Sequence, residues 1–395
     1  MSNAPFFILA GGYDTKNVGD YAMLLPLRRI VNDKGYSLKL LSRHHQEHLR
    51  ELYGVAEILE NFEYETRAQS EGKFFRGLNF GDDTNHLRRL AHEISESEGV
   101  IIGGGRLLID CTLDIMRGPL PYFALLVTLC KFMGKPIFIY GMTIIKNTST
   151  AGKKLLKYII DNSTRISVRD AESVTVLRNI DCAFSEPRVI PDPAFCLDWP
   201  SNPSLQENSD LNLVGVTVRA ISGSWGGMSL DDYISHMADT LATIQDRMGL
   251  KAQGIPHQFY GVDDQEYDDR YILEKIHQRN PFVAGYIQDE MLDLDDYRQT
   301  YGKLGALVGI RRHSFVFAAL ANVPIVPISE NPNAARICRQ LRTMPPLPLD
   351  YSMAEFRSVL SEVLDQRSEI CARQTSAVEK LSSGLSQTYS QWLFE

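Results

Sequence analysis

Phe6-Phe7-Ile8-Leu9-Ala10-Gly11-Gly12-Tyr13-Asp14-Thr15-Lys16-Asn17-Val18-Gly19-Asp20 is the stretch that decides the fold. Its first five residues form an apolar run of strand length, and a glycine-rich turn follows. A helical pattern then starts near Asp20 and reaches Lys34. Asn17 and Asp20 are residue types that cap helices. Strand, glycine turn and helix in that order are the opening of a parallel α/β sheet, and ligands bind at the carboxyl ends of such strands. The spacing is not G-x-G-x-x-G, so it gives little support to a dinucleotide site. Asp14, Asn17 and Gly19 are candidates to line a ligand site; a capped turn with no ligand fits the same residues.

Outward from this stretch the alternation continues. Strands are expected at Ser37 to Leu41, Gly99 to Ile102, Pro136 to Gly141 and Arg165 to Val168, with helices at Pro119 to Met133, Lys153 to Asn162 and Ala171 to Asn179. Asp198 to Asp210 then carries prolines, asparagines and serines with little apolar content, as a linker does. Beyond it the pattern restarts. Strands are expected at Leu213 to Val218, Lys251 to Ile255, Ala306 to Ile310 and Pro324 to Ile328. Helices are expected at Leu230 to Met248, at Asp263 to Arg279, from about Ser314 to Ala321, and over most of Ser352 to Trp392. The reading is α/β, with two Rossmann-like domains, 1–200 and 211–395, facing a central cleft. The C-terminal helices are candidates to pack back on the first domain. Clefts between domains are common ligand sites.

Composition narrows the function classes. With 395 residues, 44% hydrophobic and 23% charged, the chain can bury two cores. The net charge of -8 argues against a broad nucleic-acid surface, though not against a local basic pocket. Cys111, Cys130, Cys182, Cys196, Cys338 and Cys371 form no C-x-x-C pair, so zinc and redox readings gain nothing. The longest apolar candidate, Tyr122 to Met133, is interrupted by Lys131 and reads as a buried helix, not a membrane span. The expected location is cytoplasmic, peripheral at the inner membrane face if the partner is lipid-linked.

Three further segments carry candidate chemistry. Gly103-Gly104-Gly105 follows a buried strand. Such a run can expose backbone N–H groups as an anion nest, or let two chains pass closely. Gly309-Ile310-Arg311-Arg312-His313-Ser314 ends a strand and starts a helix. Helix N-termini attract anions, and arginine adds bidentate recognition of carboxylate or phosphate. The competing reading is an arginine pair bound to acidic neighbours, with His313 structural. Arg219, at the end of the strand through Val218, is a candidate for the same site.

Five segments in order resemble the polysaccharide pyruvyl transferase family. They are Gly12-Tyr13 with Asn17-Val18-Gly19-Asp20, Gly103 to Asp110, Arg169-Asp170-Ala171-Glu172-Ser173, Asp192-Pro193-Ala194-Phe195, and Gly309, Arg311, His313, Phe317 and Ala318. Each is generic alone, but the series spans most of residues 11 to 328. The resemblance implies a fold similar to the GT-B glycosyltransferase architecture, phosphoenolpyruvate as donor, and a surface polysaccharide or its lipid-linked precursor as acceptor. Two departures lie near the expected acceptor side: Ser329-Glu330-Asn331-Pro332-Asn333 where a tyrosine and a lysine are common, and Arg312 where a hydrophobic residue is common.

The chemistry so implied is addition to an enol, which needs an acid, cations for two anionic groups and a base. His313 is the candidate acid. Arg219, Arg311, Arg312 and Ser314 are the donor-side candidates. Asp14, Asp20 and Asp110 are alternative bases, and Gly103, Gly104 and Gly105 join Asn17 and Gly19 as acceptor-side candidates. No cofactor or metal is expected, nor a nucleic-acid partner; a homo-oligomer is compatible. The rivals are a nucleotide-sugar glycosyltransferase of the same architecture and a non-catalytic protein that binds sugars or anions.

Overall fold

A computed structural model describes residues 4–42, 47–60, 84–105, 107–110, 119–147, 149–183, 187–199, 210–221, 228–259, 265–288, 293–329 and 332–395. Arg106, Cys111, residues 200–209 of the expected linker, Glu330 and Asn331 lie outside them, as does the side chain of Asp14. The chain divides into two compact units. Met1–Asp14, Asp20–Cys196 and Gly384–Glu395 make the first; Thr15–Gly19 and Leu197–Ser383 make the second.

The first unit is built on seven parallel strands: β1 (Phe6–Gly11), β2 (Ser37–Ser42), β3 (Glu57–Glu60), β4 (Gly99–Gly103), β5 (Ile137–Met142), β6 (Arg165–Val168) and β7 (Arg188–Val189). The helices α1 (Val18–Asp33), α2 (Glu47–Tyr53), α3 (Thr84–Glu96), α4 (Pro119–Phe132), α5 (Thr150–Asp161) and α6 (Ala171–Asn179) connect them. The order β3-β2-β1-β4-β5-β6-β7 is doubly wound. β4 and β5 are buried at every residue, as strands covered on both faces must be, and that is why they read as unbroken apolar runs.

The second unit has four parallel strands: β8 (Asp210–Val216), β9 (Lys251–Gly254), β10 (Leu304–Gly309) and β11 (Ile325–Pro327), in the order β11-β10-β8-β9. Its helices are α7 (Leu230–Ala242), α8 (Asp269–Arg279), α9 (Leu294–Gly302), α10 (Arg312–Leu320), α11 (Pro332–Leu341), α12 (Met353–Asp365) and α13 (Arg367–Ser382). The last helix, α14 (Leu385–Phe394), belongs to the first unit. There Tyr389 packs 5.0 Å from Tyr140 between ring centroids, and its hydroxyl donates to the Pro191 carbonyl at 2.8 Å.

Three boundaries differ from the sequence reading. α10 starts at Arg312, two residues before Ser314, with Arg311 in the extended N-cap conformation. α8 starts at Asp269, six residues after Asp263, once Asp268 caps it through the Arg270 N–H. The expected helix to Met248 loosens into a π turn over Thr243–Arg247. Among the described residues no helix is long and apolar enough to cross a membrane.

Topology singles out one place in each sheet. Strand order reverses between β1 and β4 in the first unit and between β8 and β10 in the second. Ligands of open α/β sheets bind outside the carboxyl ends of strands at such switch points. Gly11–Gly12 and Gly103–Gly105 follow the first pair; Thr217–Arg219 and Ile310–His313 follow the second.

Candidate functional site

At the switch point of the first unit, β1 and β4 run in register, with Gly11 opposite Gly103. Gly104 (φ 91°) and Gly105 (φ 65°) take left-handed backbone that side chains resist. A Cβ at Gly12 would lie 3.0 Å from the Asp20 Oδ2, and one at Gly105 would lie 3.0 Å from its Oδ1. The half-buried Asp20 carboxylate therefore fills the room that the missing side chains leave. Tyr13 is buried beneath, its ring against Gly103 and Gly104. Burial, then the Asp20 charge, pushes the Tyr13 hydroxyl well above its usual pKa, so it stays neutral.

Two motifs without a chemical role in the sequence reading prove to be the frame of this loop. The Gly105 carbonyl accepts from the Thr143 N–H at 3.1 Å and from Arg169 Nη2 at 3.2 Å. Arg169 Nη1 donates to Asp192 Oδ2 at 2.6 Å, both side chains being buried. Asp170 accepts from the Ser173 N–H at 2.8 Å and caps α6. Asp110 stands apart from Asp20. Its Oδ2 accepts from the Ser149 N–H at 2.8 Å, and Ser149 caps α5 in turn. That carboxylate is engaged in holding a helix start.

In the second unit the switch point is organised by an acid that the sequence reading missed. Asp269 is fully buried. Its Oδ2 accepts from the backbone N–H groups of His257 (2.9 Å) and Gln258 (3.1 Å) and from Arg311 Nε (3.1 Å). Its Oδ1 accepts from Arg311 Nη2. Burial raises the Asp269 pKa, while Arg311 and the two N–H groups pull it back. Arg311 Nε also donates to the Val218 carbonyl at 3.0 Å. Arg311 is thus the arginine bound to an acidic neighbour, one of the two readings its motif allowed. The only sequence signal for Asp269 was an acidic pair, Asp268-Asp269, inside the expected helix Asp263 to Arg279.

Ser314 is buried. Its hydroxyl donates to the Arg311 carbonyl at 2.6 Å and lies 3.2 Å from Thr217 Oγ1, which accepts from the Ile310 N–H. It stitches β8 to the start of α10, and its hydroxyl is spent inside the unit. Arg219 follows Val218 and is half-buried; Arg312 and His313 form the first turn of α10 and are half-buried as well.

A second histidine lies close by. His257 is buried among Tyr297, Tyr301 and Phe317, with Nε2 2.7 Å from the Tyr301 hydroxyl. Among the described residues Nδ1 finds no hydrogen-bond partner. Burial, followed by the charges of Arg311 and His313, drives its pKa well below the usual histidine value, so it is neutral near pH 7.

The segment Thr15–Gly19 groups with this unit. The Val18 N–H donates to the His257 carbonyl at 3.0 Å, and Asn17 Nδ2 donates to Gln258 Oε1 at 2.6 Å. Asn17 Oδ1 accepts from the Gly19 N–H at 2.9 Å. Gly19 lies against the His313 imidazole: a Cβ there would be 2.5 Å from Cγ and 2.8 Å from Cε1. Of the predicted residues, the structure brings together Asn17, Gly19, Arg311, His313 and Ser314 in one unit, and Asp20 with Gly103–Gly105 in the other.

A sequence model described as polysaccharide pyruvyl transferase matches residues 17–332. No curated protein matches the sequence. Solved structures match over nearly the full length at low identity. A UDP-GlcNAc 2-epimerase from Neisseria meningitidis, solved bound to UDP-GlcNAc, aligns with a TM-score of 0.62 at 8% identity, covering 98% of this chain and 99% of its own. A glycosyltransferase from Rickettsia africae gives 0.58 at 12% identity with 100% of both chains covered. A UDP-N-acetylglucosamine 2-epimerase from Rickettsia bellii gives 0.59 at 11% identity, covering 99% and 98%. At these identities the likeness is one of fold: the chain has the GT-B type of α/β architecture.

Proposed function

We propose, from the premise that the chain belongs to the polysaccharide pyruvyl transferase family, that it moves the pyruvyl group of phosphoenolpyruvate onto two hydroxyls of a saccharide as a cyclic ketal. The observation that carries this reading is the β8/β10 switch point. It presents a histidine in the first turn of α10, behind an arginine locked onto a buried carboxylate.

The roles follow from the chemistry. His313 gives a proton to the methylene carbon of phosphoenolpyruvate, which becomes the methyl group. Positive charge develops on the adjacent carbon, and one sugar hydroxyl adds there. Phosphate leaves with its bonding electron pair, and the second hydroxyl closes the ketal. Of the two hydroxyl protons, one replaces that spent by His313 and the other leaves with phosphate. Arg219 and Arg312 bind the donor's carboxylate and phosphate. Arg311 supplies fixed positive charge from its seat on Asp269. Asp20 is the base for the acceptor hydroxyl in this scheme; Asp110 is committed to α5, and the side chain of Asp14 lies outside the described residues. The glycine loop Gly103–Gly105 lies on the acceptor side. No metal or cofactor has a role in the scheme. The acceptor is a surface polysaccharide unit or its lipid-linked precursor, met in the cytoplasm.

The test is phosphate release from phosphoenolpyruvate across a panel of glycans and lipid-linked sugars, with and without a chelator. Release with an acceptor, insensitive to chelation and matched by a ketal in the product's NMR spectrum, is the expected result. Nucleotide release from a nucleotide sugar would replace this reading with glycosyl transfer. Tight binding of phosphoenolpyruvate or glycan without turnover by any acceptor would replace it with binding alone.

A further inference from the structure

The empty side-chain position of Gly19 is occupied by a functional group. The space where its Cβ would stand is taken by the His313 imidazole, Nδ1 nearest, with Cγ at 2.5 Å and Cε1 at 2.8 Å. Backbone strain does not explain the glycine: Gly19 lies in the first turn of α1 and outside the left-handed region. Alanine is a better helix former than glycine. The three atoms nearest to the place of a methyl group all belong to the imidazole.

Both walls of this contact are tied to one carboxylate. On one side, Asp269 holds Arg311, two residues before His313, by a forked pair. On the other, Asp269 accepts from the His257 and Gln258 N–H groups. His257 then holds Val18 through its carbonyl, and Gln258 holds Asn17 through its amide. Asn17 closes the loop by accepting from Gly19 N–H. Phe259 N–H, donating to the Lys16 carbonyl at 3.2 Å, adds a further tie. The imidazole therefore rests on a backbone surface whose position is fixed from the same buried anchor as its own helix.

We propose that Gly19 is a positioning residue for His313: the Asn17–Gly19 turn is a seat that sets the direction of the imidazole, with Asp269 holding seat and ring in register. The part about proton delivery rests on the proposed function; the seat itself does not. Proton transfer requires a donor placed to within hydrogen-bond reach of its target, so a ring pushed off this seat loses rate while the donor's anionic groups keep their ligands.

The experiment uses full-length Gly19→Ala, with His313→Gln and the double variant as references. Histidine-labelled protein gives the His313 ring resonances, assigned by their absence in His313→Gln. Expected for Gly19→Ala are a folded protein, phosphoenolpyruvate affinity within about threefold of wild type, a displaced His313 resonance, and phosphate release down roughly a hundredfold. The double variant should be no slower than His313→Gln alone. A Gly19→Ala protein with wild-type turnover and an unmoved His313 resonance overturns the seat. Should the wild-type protein release no phosphate from phosphoenolpyruvate with any acceptor, the functional reading fails, and the resonance alone still decides the seat. If Gly19→Ala does not fold, Gln258→Ala, which removes the partner of Asn17 and adds no atoms, must shift the same resonance; an unmoved one overturns the proposal.

Discussion

Neutralising Asp269 by Asp269→Asn should destabilise the protein far more than an ordinary polar substitution. The carboxylate has no exposed side-chain surface and Arg311 has 16%. In the native protein four N–H groups converge on its two oxygens. An asparagine amide offers one oxygen and one NH2 group. The NH2 end must face a donor, either the backbone pair or the guanidinium. At least one buried donor is then stranded, and Arg311 keeps a charge without its counterion. Removing one partner of a buried ion pair typically costs about 3–5 kcal/mol. A domain has about 5–15 kcal/mol in total. Urea unfolding followed by tryptophan fluorescence should show the loss as a lower midpoint at similar slope. Arg311→Ala should cost a comparable amount, and Arg311→Met with Asp269→Leu should recover only part of it: no charge is left behind, but the His257 and Gln258 N–H groups lose their acceptor. A loss below about 1 kcal/mol for Asp269→Asn would refute the reasoning and return Arg311 to the list of residues whose first task is binding a ligand.

His313→Gln should keep phosphoenolpyruvate affinity within a few-fold while slowing phosphate release about a hundredfold to ten-thousandfold, read by a coupled phosphate assay; turnover near wild type removes His313 as the acid. Arg219→Ala should weaken phosphoenolpyruvate binding roughly tenfold to a hundredfold in calorimetry, the loss of about 1.5–3 kcal/mol for a charged hydrogen bond, and unchanged affinity removes it from the site. Stability should fall as pH drops below about 6.5. Burial lowers the pKa of both His257 and His236 in the folded protein, so the unfolded chain binds more protons in the window between the two values. Stability then rises with pH there, by at most about 1.4 kcal/mol per pH unit per histidine. A urea midpoint that is flat, or higher at pH 5.5 than at pH 7.5, contradicts that sign.

Much of the architecture was legible because buried parallel strands leave an unmistakable pattern. Val100-Ile101-Ile102 and Gly305 to Gly309 are buried at each position and so carry no polar face to confuse the reading. Glycine after such strands pointed correctly to the carboxyl ends where the chain turns back. Helix starts were less legible, since Ser314 looks like a cap by type, yet tertiary contacts with Thr217 recruited its hydroxyl and left Arg311 as the cap. The site was legible only in part for the same reason. A motif shows which side chains are near in sequence. It does not show that Asp269, forty-two residues before Arg311, claims its guanidinium. Nor could spacing reveal His257, whose environment is made by Tyr297, Tyr301 and Phe317 from two helices that follow it in sequence.

The Asn17-Val18-Gly19-Asp20 run shows why a short motif can hold more constraint than its length suggests. Asn17, Val18 and Gly19 satisfy hydrogen bonds of the second unit and seat His313 there. The next residue, Asp20, belongs to the first unit and fills the hollow left by Gly12 and Gly105. One turn of chain thus serves two cores, and each residue has its partner fixed by a different sheet. A substitution at Asn17 removes two hydrogen bonds from the second unit, one to Gln258 and one from the Gly19 N–H. Asn17→Ala should therefore slow phosphate release by loosening the turn that carries Gly19, and a wild-type rate in the coupled phosphate assay would show that the turn does not need Asn17 to seat the imidazole.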